Sequence, residues 1–364
     1  MTEDSFATNW HLSVTMTTAQ DDDTKSTSEN TMTVSSSDTA DFIFRCAVVL
    51  IGIVGAAANA LVLYAMVVSK QHKKQLLIFN QNIFDLCSCL SLVIIYTLKL
   101  CNLYLIGALG YWLCMILISE NLLWLSVNGS VMNLLSISIE RYLKVVHPAL
   151  SKKLLRQWVL YSAIAFVWIS TIIFNMAVVF ATSRVIDGVC YGYTFWQSRM
   201  TSVIYGIWHF ISFYVIVLIG FIFCYGRILI VIRRQAKVMA AHSGSGSSTT
   251  QTNSNKAQSN VIKTMILVCA FYVITGTPDR IYYLLVNVLS LPHSGRSLPH
   301  SGSVHYAKTF IAFFYICTNP FIYATKFDPV KRVLASLIIC KKNSVEPARN
   351  TTATNARSVT VRNN

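Results

Sequence analysis

The chain has 364 residues, of which 54% are hydrophobic and only 12% charged. A soluble globular protein carries about a quarter of its residues charged, so this much apolar sequence excludes a fold whose only apolar store is a water-surrounded core. The formal net charge of +15 would suit a nucleic-acid binder if it lay on one face; its distribution along the chain shows otherwise.

The first residues, MTEDSF, are acidic and polar, a start that predicts no cleavable signal peptide. Residues 1–41 hold eight acids against Lys25 alone, and 11–40 is a Ser/Thr/Asp-rich stretch expected to be disordered. A helix crosses hydrocarbon with about 20 mostly apolar residues. Seven stretches meet that test, at 42–69, 76–101, 111–143, 157–182, 202–232, 261–289 and 304–325. Pro278 in the sixth and Pro320 in the seventh each remove a backbone donor and predict a kink, tolerated only inside a packed bundle.

The segments between the spans set the orientation. The 70–75 turn carries Lys70, Lys73 and Lys74, and the 144–156 loop carries Lys144, Lys152, Lys153 and Arg156, neither with an acid. Six further basic residues and no acid lie in 227–263, and eight against Asp328 and Glu346 lie in the tail from Lys326. The positive-inside rule then puts the N-terminus outside and the C-terminus in the cytoplasm, which an odd number of spans requires. The basic excess is thus a topology signal and predicts no nucleic-acid partner. The stretch 242–260 reads as a flexible inner loop open to phosphorylation. Residues 291–302 repeat LPHSG and read as a tolerated loop insertion.

Ionisable groups at membrane depth are costly and mark function by default. Asp85 lies mid-span in NQNIFD, and Ser126, Ser130 and Asn319 fall at depths where they can meet it. Oxygens converging on one carboxylate make a site for a small hard cation or a proton; the alternative is that these groups only satisfy one another. Glu140-Arg141-Tyr142 ends the third span, where an arginine can pair with its neighbour or swing to another helix or partner, unless it is a plain solvated pair. Lys99, Glu120, His209, Asp279, Arg280 and Lys308 lie in the outer halves of their spans and line either a ligand cavity or interhelical pairs. Cys114 and Cys190 both face the oxidising side and form the natural disulfide pair, with Cys101 the competitor.

Together these residues resemble the rhodopsin-like family of G-protein-coupled receptors across about residues 42–340. The resemblance rests on Asn59, Asp85, the third-span run SVMNLLSISIERY, Trp168, Tyr225 in FCYGRI, Pro278 and Asn319-Pro320-Phe321-Ile322-Tyr323. It implies an all-α membrane protein, a seven-transmembrane helix bundle with a short amphipathic eighth helix. Its parts are an extracellular segment 1–41, a receptor domain 42–326, an amphipathic juxtamembrane helix 327–340 with Cys340 as a palmitoylation site, and a cytoplasmic tail 341–364. It implies a plasma-membrane receptor, with no catalytic residues, that passes an extracellular signal to heterotrimeric G proteins. Arrestin, receptor kinases and membrane lipid follow as further partners. By the same resemblance Arg141, with Glu140 and Tyr142, is the latch; Tyr225, Asn319, Pro320 and Tyr323 are activation switches. Asp85, Ser126, Ser130 and Asn319 form a pocket for an allosteric sodium ion, the only metal or cofactor implied. Glu120, His209, Asp279, Arg280 and Lys308 are candidates to meet the ligand.

Departures prune this reading. Gly276 stands where the family usually has a tryptophan, and Val217 where it usually has a fifth-span proline. Cys114 lies 27 residues before Arg141, a longer separation than usual, which implies a local distortion or a different pairing. Leu123, 18 residues before Arg141, replaces the aspartate of amine receptors, and Phe313, seven before Pro320, replaces the retinal lysine of opsins. LSVNGSVMN is similar to the third span of melatonin receptors, although ERY and NPFIY are not their usual motifs. A peptide or a non-amine small molecule remains as ligand. A transporter or channel is the alternative, but no inverted repeat is visible. No GxSxG or HExxH is present to suggest an enzyme.

Overall fold

The computed structural model describes residues 28–101, 103–241, 249–289, 299–326, 330–333 and 335–336. Helices dominate, as they must when backbone groups in hydrocarbon have only one another to bond. In chain order they are α1 (Ser28–Val68), α2 (Leu76–Leu100), α3 (Gly107–Leu113), α4 (Asn121–Val146), α5 (Pro148–Leu154), α6 (Gln157–Thr182), α7 (Arg199–Phe210), α8 (Ile216–Ala241), α9 (Thr249–Leu289) and α10 (Pro299–Lys326). A π turn, Cys114–Ile118, joins α3 to α4 into the third span, and another, Ile211–Val215, joins α7 to α8 into the fifth. Among the described residues six spans are long and apolar enough to cross a membrane, and the seventh, α10, has a shorter apolar stretch, Thr309–Ala324.

The seven spans form one bundle. α1 packs on α2 and α10, α2 on α4, α4 on α6 and α8, and α9 on α7 and α10. The third span is the hub: α4 packs on α2, α6, α8 and α9, and its span is the most buried of the six long apolar ones among the described residues. The apolar core joins Ile95, Leu134, Ile137, Phe221, Val268, Phe313 and Tyr323. Large apolar side chains such as Leu50, Phe166, Ile219 and Ile222 point outward and stay exposed, a surface suited to lipid and not to water.

Gly129 shows how tightly the hub fits. A Cβ there would lie 2.3 Å from Phe84 Cε1. Phe84 in turn is stacked on Trp168, ring centroids 4.1 Å apart. The second, third and fourth spans can close together only because residue 129 has no side chain.

Between α6 and α7 a two-stranded hairpin, β1 (Arg184–Ile186) and β2 (Val189–Tyr191), lies at one end of the bundle. Its turn, Asp187-Gly188, takes left-handed backbone at both residues (φ 48° and 72°), the Asp-Gly turn that matches strand twist. Cys190 in β2 is bonded to Cys114, with Cα atoms 5.4 Å apart. Cys101 is free. The long Cys114–Arg141 separation is absorbed locally: the π turn at Cys114–Ile118 is followed by Glu120 in left-handed backbone (φ 63°) before the helix resumes at Asn121. The pairing stands and the distortion is real.

Several boundaries differ from the sequence reading. α1 begins at Ser28, so the segment expected to be disordered is helical from there on. Once a packed helix exists, extending it costs little, and Arg45 braces the extension through Asp41 at 2.5 Å. α9 begins at Thr249, so the expected inner loop is likewise helical from that residue. α10 starts at Pro299, inside the second LPHSG copy, with proline at the first position where its missing N–H is harmless. Of the expected helix 327–340, residues 330–333 and 335–336 are helical; the rest, with Cys340, lies outside the described residues.

Candidate functional site

The buried polar groups fall into three layers along the bundle. The middle layer centres on Asp85 in α2, which is fully buried. Ser130 Oγ donates to Asp85 Oδ1 at 2.9 Å, Gln81 Nε2 donates to the same oxygen at 3.3 Å, and Asn319 Nδ2 donates to Oδ2 at 3.0 Å. One carboxylate thus ties the second, third and seventh spans. Gln81 also bonds Ser130, and its own Oε1 accepts from Asn133 Nδ2 at 2.8 Å. Asn80 Nδ2 donates to Asn133 Oδ1 at 2.9 Å, and Trp168 Nε1 donates to Asn80 Oδ1 at 3.1 Å, bringing in the fourth span. Ser126 stands apart: its hydroxyl donates to Leu122 O of its own helix at 2.9 Å. Three buried oxygens, Asn319 Oδ1, Asn59 Oδ1 and Tyr323 Oη, have no hydrogen-bond partner.

Gln81, Asn80 and Asn133 were not singled out from the sequence. The signal was there, since Gln81 sits four residues before Asp85 and so shares its helix face. What the sequence cannot supply is the register between α2 and α4 that aligns Asn133 with them.

The layer at the basic end of the bundle holds Glu140-Arg141-Tyr142, the last turn but one of α4. Glu140 Oε2 lies 3.4 Å from Arg141 Nη2, while its Oε1 takes Lys144 Nζ at 2.5 Å. The same Arg141 nitrogen donates to Gln75 Oε1, from the residue just before α2. Arg141 is buried and its Nε has no partner. Tyr142 points elsewhere and meets His147 Nε2 at 3.1 Å. Nearby, Ser138 Oγ donates to Tyr225 Oη at 3.1 Å, and Tyr225 lies 3.6 Å from Cys269 Sγ, linking the third, fifth and sixth spans. Tyr323 is fully buried, with its hydroxyl unpaired.

The layer toward the disulfide sorts the charged candidates into two groups. Glu120 is engaged with the second span: Lys99 Nζ reaches its Oε1 at 2.5 Å and Tyr96 Oη the same atom at 3.2 Å, while Trp124 Nε1 donates to Oε2 at 3.3 Å. Arg280 and His209 meet deeper in the bundle. Arg280 Nη2 donates to Asn128 Oδ1 at 3.2 Å, and Nη1 lies 3.4 Å from His209 Nε2. Asn128 Nδ2 donates onward to Asn175 Oδ1 at 3.4 Å. Asp279 is buried beside Arg280, and the side chain of Lys308 lies outside the described residues.

Both departures from the family pattern have a local answer. A Cβ on Gly276 would meet the Tyr272 ring at 3.3 Å. Tyr272 fills that part of the core, edge-on to Phe221 and Tyr315, and its hydroxyl donates to Phe213 O at 3.0 Å. The carbonyl it bonds lies in the fifth-span π turn, which forms here without a proline at Val217.

The fold and these layers define a multi-pass membrane protein of seven helices arranged around a buried polar core. Comparison with known proteins gives the family. The description "7 transmembrane receptor (rhodopsin family)" matches residues 58–323. G-protein coupled receptor 15 of Mus musculus is 26% identical over 222 residues, covering 59% of this chain and 57% of that one, so the match spans less than two thirds of that relative. Somatostatin receptor type 5 of Rattus norvegicus is 24% identical over 301 residues, 80% of this chain and 77% of that one. The crystal structure of squid rhodopsin has the same fold, with a TM-score of 0.67 at 18% identity over 85% of this chain and 89% of that one. The chain therefore belongs to the rhodopsin family of seven-transmembrane receptors, a class of signalling proteins.

Proposed function

We propose that this chain is a plasma-membrane receptor that couples an extracellular peptide or non-amine small molecule to heterotrimeric G proteins. The observation that carries the reading is the state of Arg141. A buried guanidinium is held at the basic end of the bundle by one carboxylate and one neutral amide, with one nitrogen unpaired. Such a side chain can be released to a partner at modest cost, which is what a two-state latch requires. The name of one relative, G-protein coupled receptor 15, supports the choice of transducer. In this reading 1–41 is extracellular, 42–326 is the receptor domain, 327–340 is a juxtamembrane helix palmitoylated at Cys340, and 341–364 is a cytoplasmic tail open to receptor kinases and arrestin.

The middle layer takes the role of a restraint. The Asp85 carboxylate, the Ser130 hydroxyl and the unpaired oxygens of Asn319, Asn59 and Tyr323 are the oxygen donors that suit a small hard cation, which would displace the amide N–H groups of Gln81 and Asn319 from the carboxylate. A sodium ion fits there, with Asp85 and Asn319 as its holders; Ser126 would have to turn from its own helix to join them. A bound cation would neutralise the carboxylate and favour the arrangement in which α2, α4 and α10 stay tied together.

The test is Arg141→Ala in cells. Surface expression is expected to persist and G-protein activation to be lost. Normal activation from a well-expressed variant would remove the latch.

A further inference from the structure

Arg280 is a buried cation whose partners are all neutral. It is 4% exposed, and its hydrogen bonds run to Asn128 and His209. None of the ion pairs among the described residues involves it. The nearest candidate in sequence, Asp279, points about 100° away around the helix. The contrast with Glu120 is instructive, because that carboxylate has Lys99 at 2.5 Å and is settled without a ligand.

His209 supplies a second, independent observation. Arg280 can only donate, so His209 Nε2 must accept, and the ring proton then sits on Nδ1. That nitrogen is buried and has no acceptor, in a side chain 8% exposed. A guanidinium with no ion-pair partner and an N–H with no acceptor therefore lie in the same corner of the bundle. Around His209 the surfaces are aromatic: Phe213 and Tyr283 with ring centroids at 5.0 Å, and Tyr205 at 5.8 Å.

We propose that Arg280 and His209 form the recognition site for a ligand that presents a carboxylate on an apolar or aromatic body. The planar guanidinium offers parallel N–H groups that match a carboxylate's two oxygens, and Asn128 and His209 fix its orientation. One guanidinium whose hydrogen-bond partners are neutral balances one negative charge, so a monoanion fits better than a dianion. The aromatic faces of Phe213, Tyr283 and Tyr205 take the body of the ligand. This deepens the receptor reading by naming the ligand chemistry, and it rests on that reading for its signalling consequence only.

The experiment is thermal unfolding of the full chain in lipid nanodiscs, which reads binding without any G protein. Two probes carry the carboxylate: octanoate, for a lipid-like acid, and N-acetyl-tryptophan, for a peptide C-terminus. Their neutral controls are octanamide and N-acetyl-tryptophanamide. An acid present at about ten times its Kd should raise the midpoint by about 2–3 °C, its amide should not, and the acid that acts tells which source the site fits. Arg280→Gln should lose the shift and Arg280→Lys, which keeps the charge without the fork, should keep a smaller one. If Arg280→Gln fails to fold, the acid–amide contrast in the wild type and its reduction in Arg280→Lys decide. Equal shifts from acid and amide, no shift from either acid, or an undiminished shift in Arg280→Gln would overturn the proposal. Stabilisation without signalling would leave the site standing and count against the receptor reading; signalling by neutral ligands alone would do the reverse.

Discussion

Gln75→Ala should switch this chain partly on. Gln75 precedes α2 and accepts a hydrogen bond from Arg141 Nη2 in a region where Arg141 is buried. Hydrogen bonds to charged groups contribute about 1.5–3 kcal/mol. Arg141 keeps Glu140 at 3.4 Å, but Glu140 is shared with Lys144, so the loss of Gln75 is poorly compensated. Taking about 2 kcal/mol for the lost bond, the ratio of released to latched states rises about 30-fold. A receptor with about one molecule in a hundred active at rest would then have about one in four active. The assay is ligand-independent cAMP, calcium and arrestin output at matched surface expression, with Gln75→Glu as the opposing variant, since a carboxylate should hold Arg141 more firmly. Unchanged basal output in Gln75→Ala, or a rise in Gln75→Glu, would refute the reasoning.

Other expectations follow from the same geometry. Asp85→Asn keeps the shape of the middle layer and removes its charge, so any dependence of agonist affinity on sodium should vanish; an unaltered salt response would count against a cation at Asp85. Gly129→Ala places a Cβ 2.3 Å from the Phe84 ring and should destabilise the bundle by about 1–3 kcal/mol, read as a lower thermal midpoint in nanodiscs; an unchanged midpoint would mean the second and third spans can part freely. Cys114→Ser should cost about 2–4 kcal/mol and lower surface expression, with Cys101→Ser silent in the same flow-cytometry measurement because Cys101 is free.

Much of the fold was legible because span-length apolar runs and the sign of the intervening loops follow from solvation alone. Asp85, Arg141 and the Cys114–Cys190 pair were legible for a related reason: each is expensive or reactive where it sits. The missing pieces depend on how helices face one another. Gln75 lies in a short loop with nothing in its own neighbourhood to mark it, and becomes a partner of Arg141 only when α2 and α4 pack side by side. Ser126 was expected to face Asp85, but its hydroxyl is satisfied within its own helix, an outcome spacing cannot distinguish. The ends of α1 and α9 were misjudged because polar Ser/Thr-rich sequence reads as loop, while extension of an already packed helix is cheap. The separation of Glu120 from Arg280 into a paired and an unpaired charge was likewise invisible, since it turns on which neighbour each side chain reaches.

The most direct test uses the full chain in nanodiscs and purified heterotrimeric G proteins from each main class, with nucleotide exchange as the readout. Gln75→Ala should accelerate exchange on at least one class above the wild-type rate, and adding Arg141→Ala to it should return the rate to that of empty nanodiscs. Exchange indistinguishable from empty nanodiscs on every class, or a double variant as active as Gln75→Ala alone, would contradict the assignment of Arg141 as the side chain through which this receptor signals.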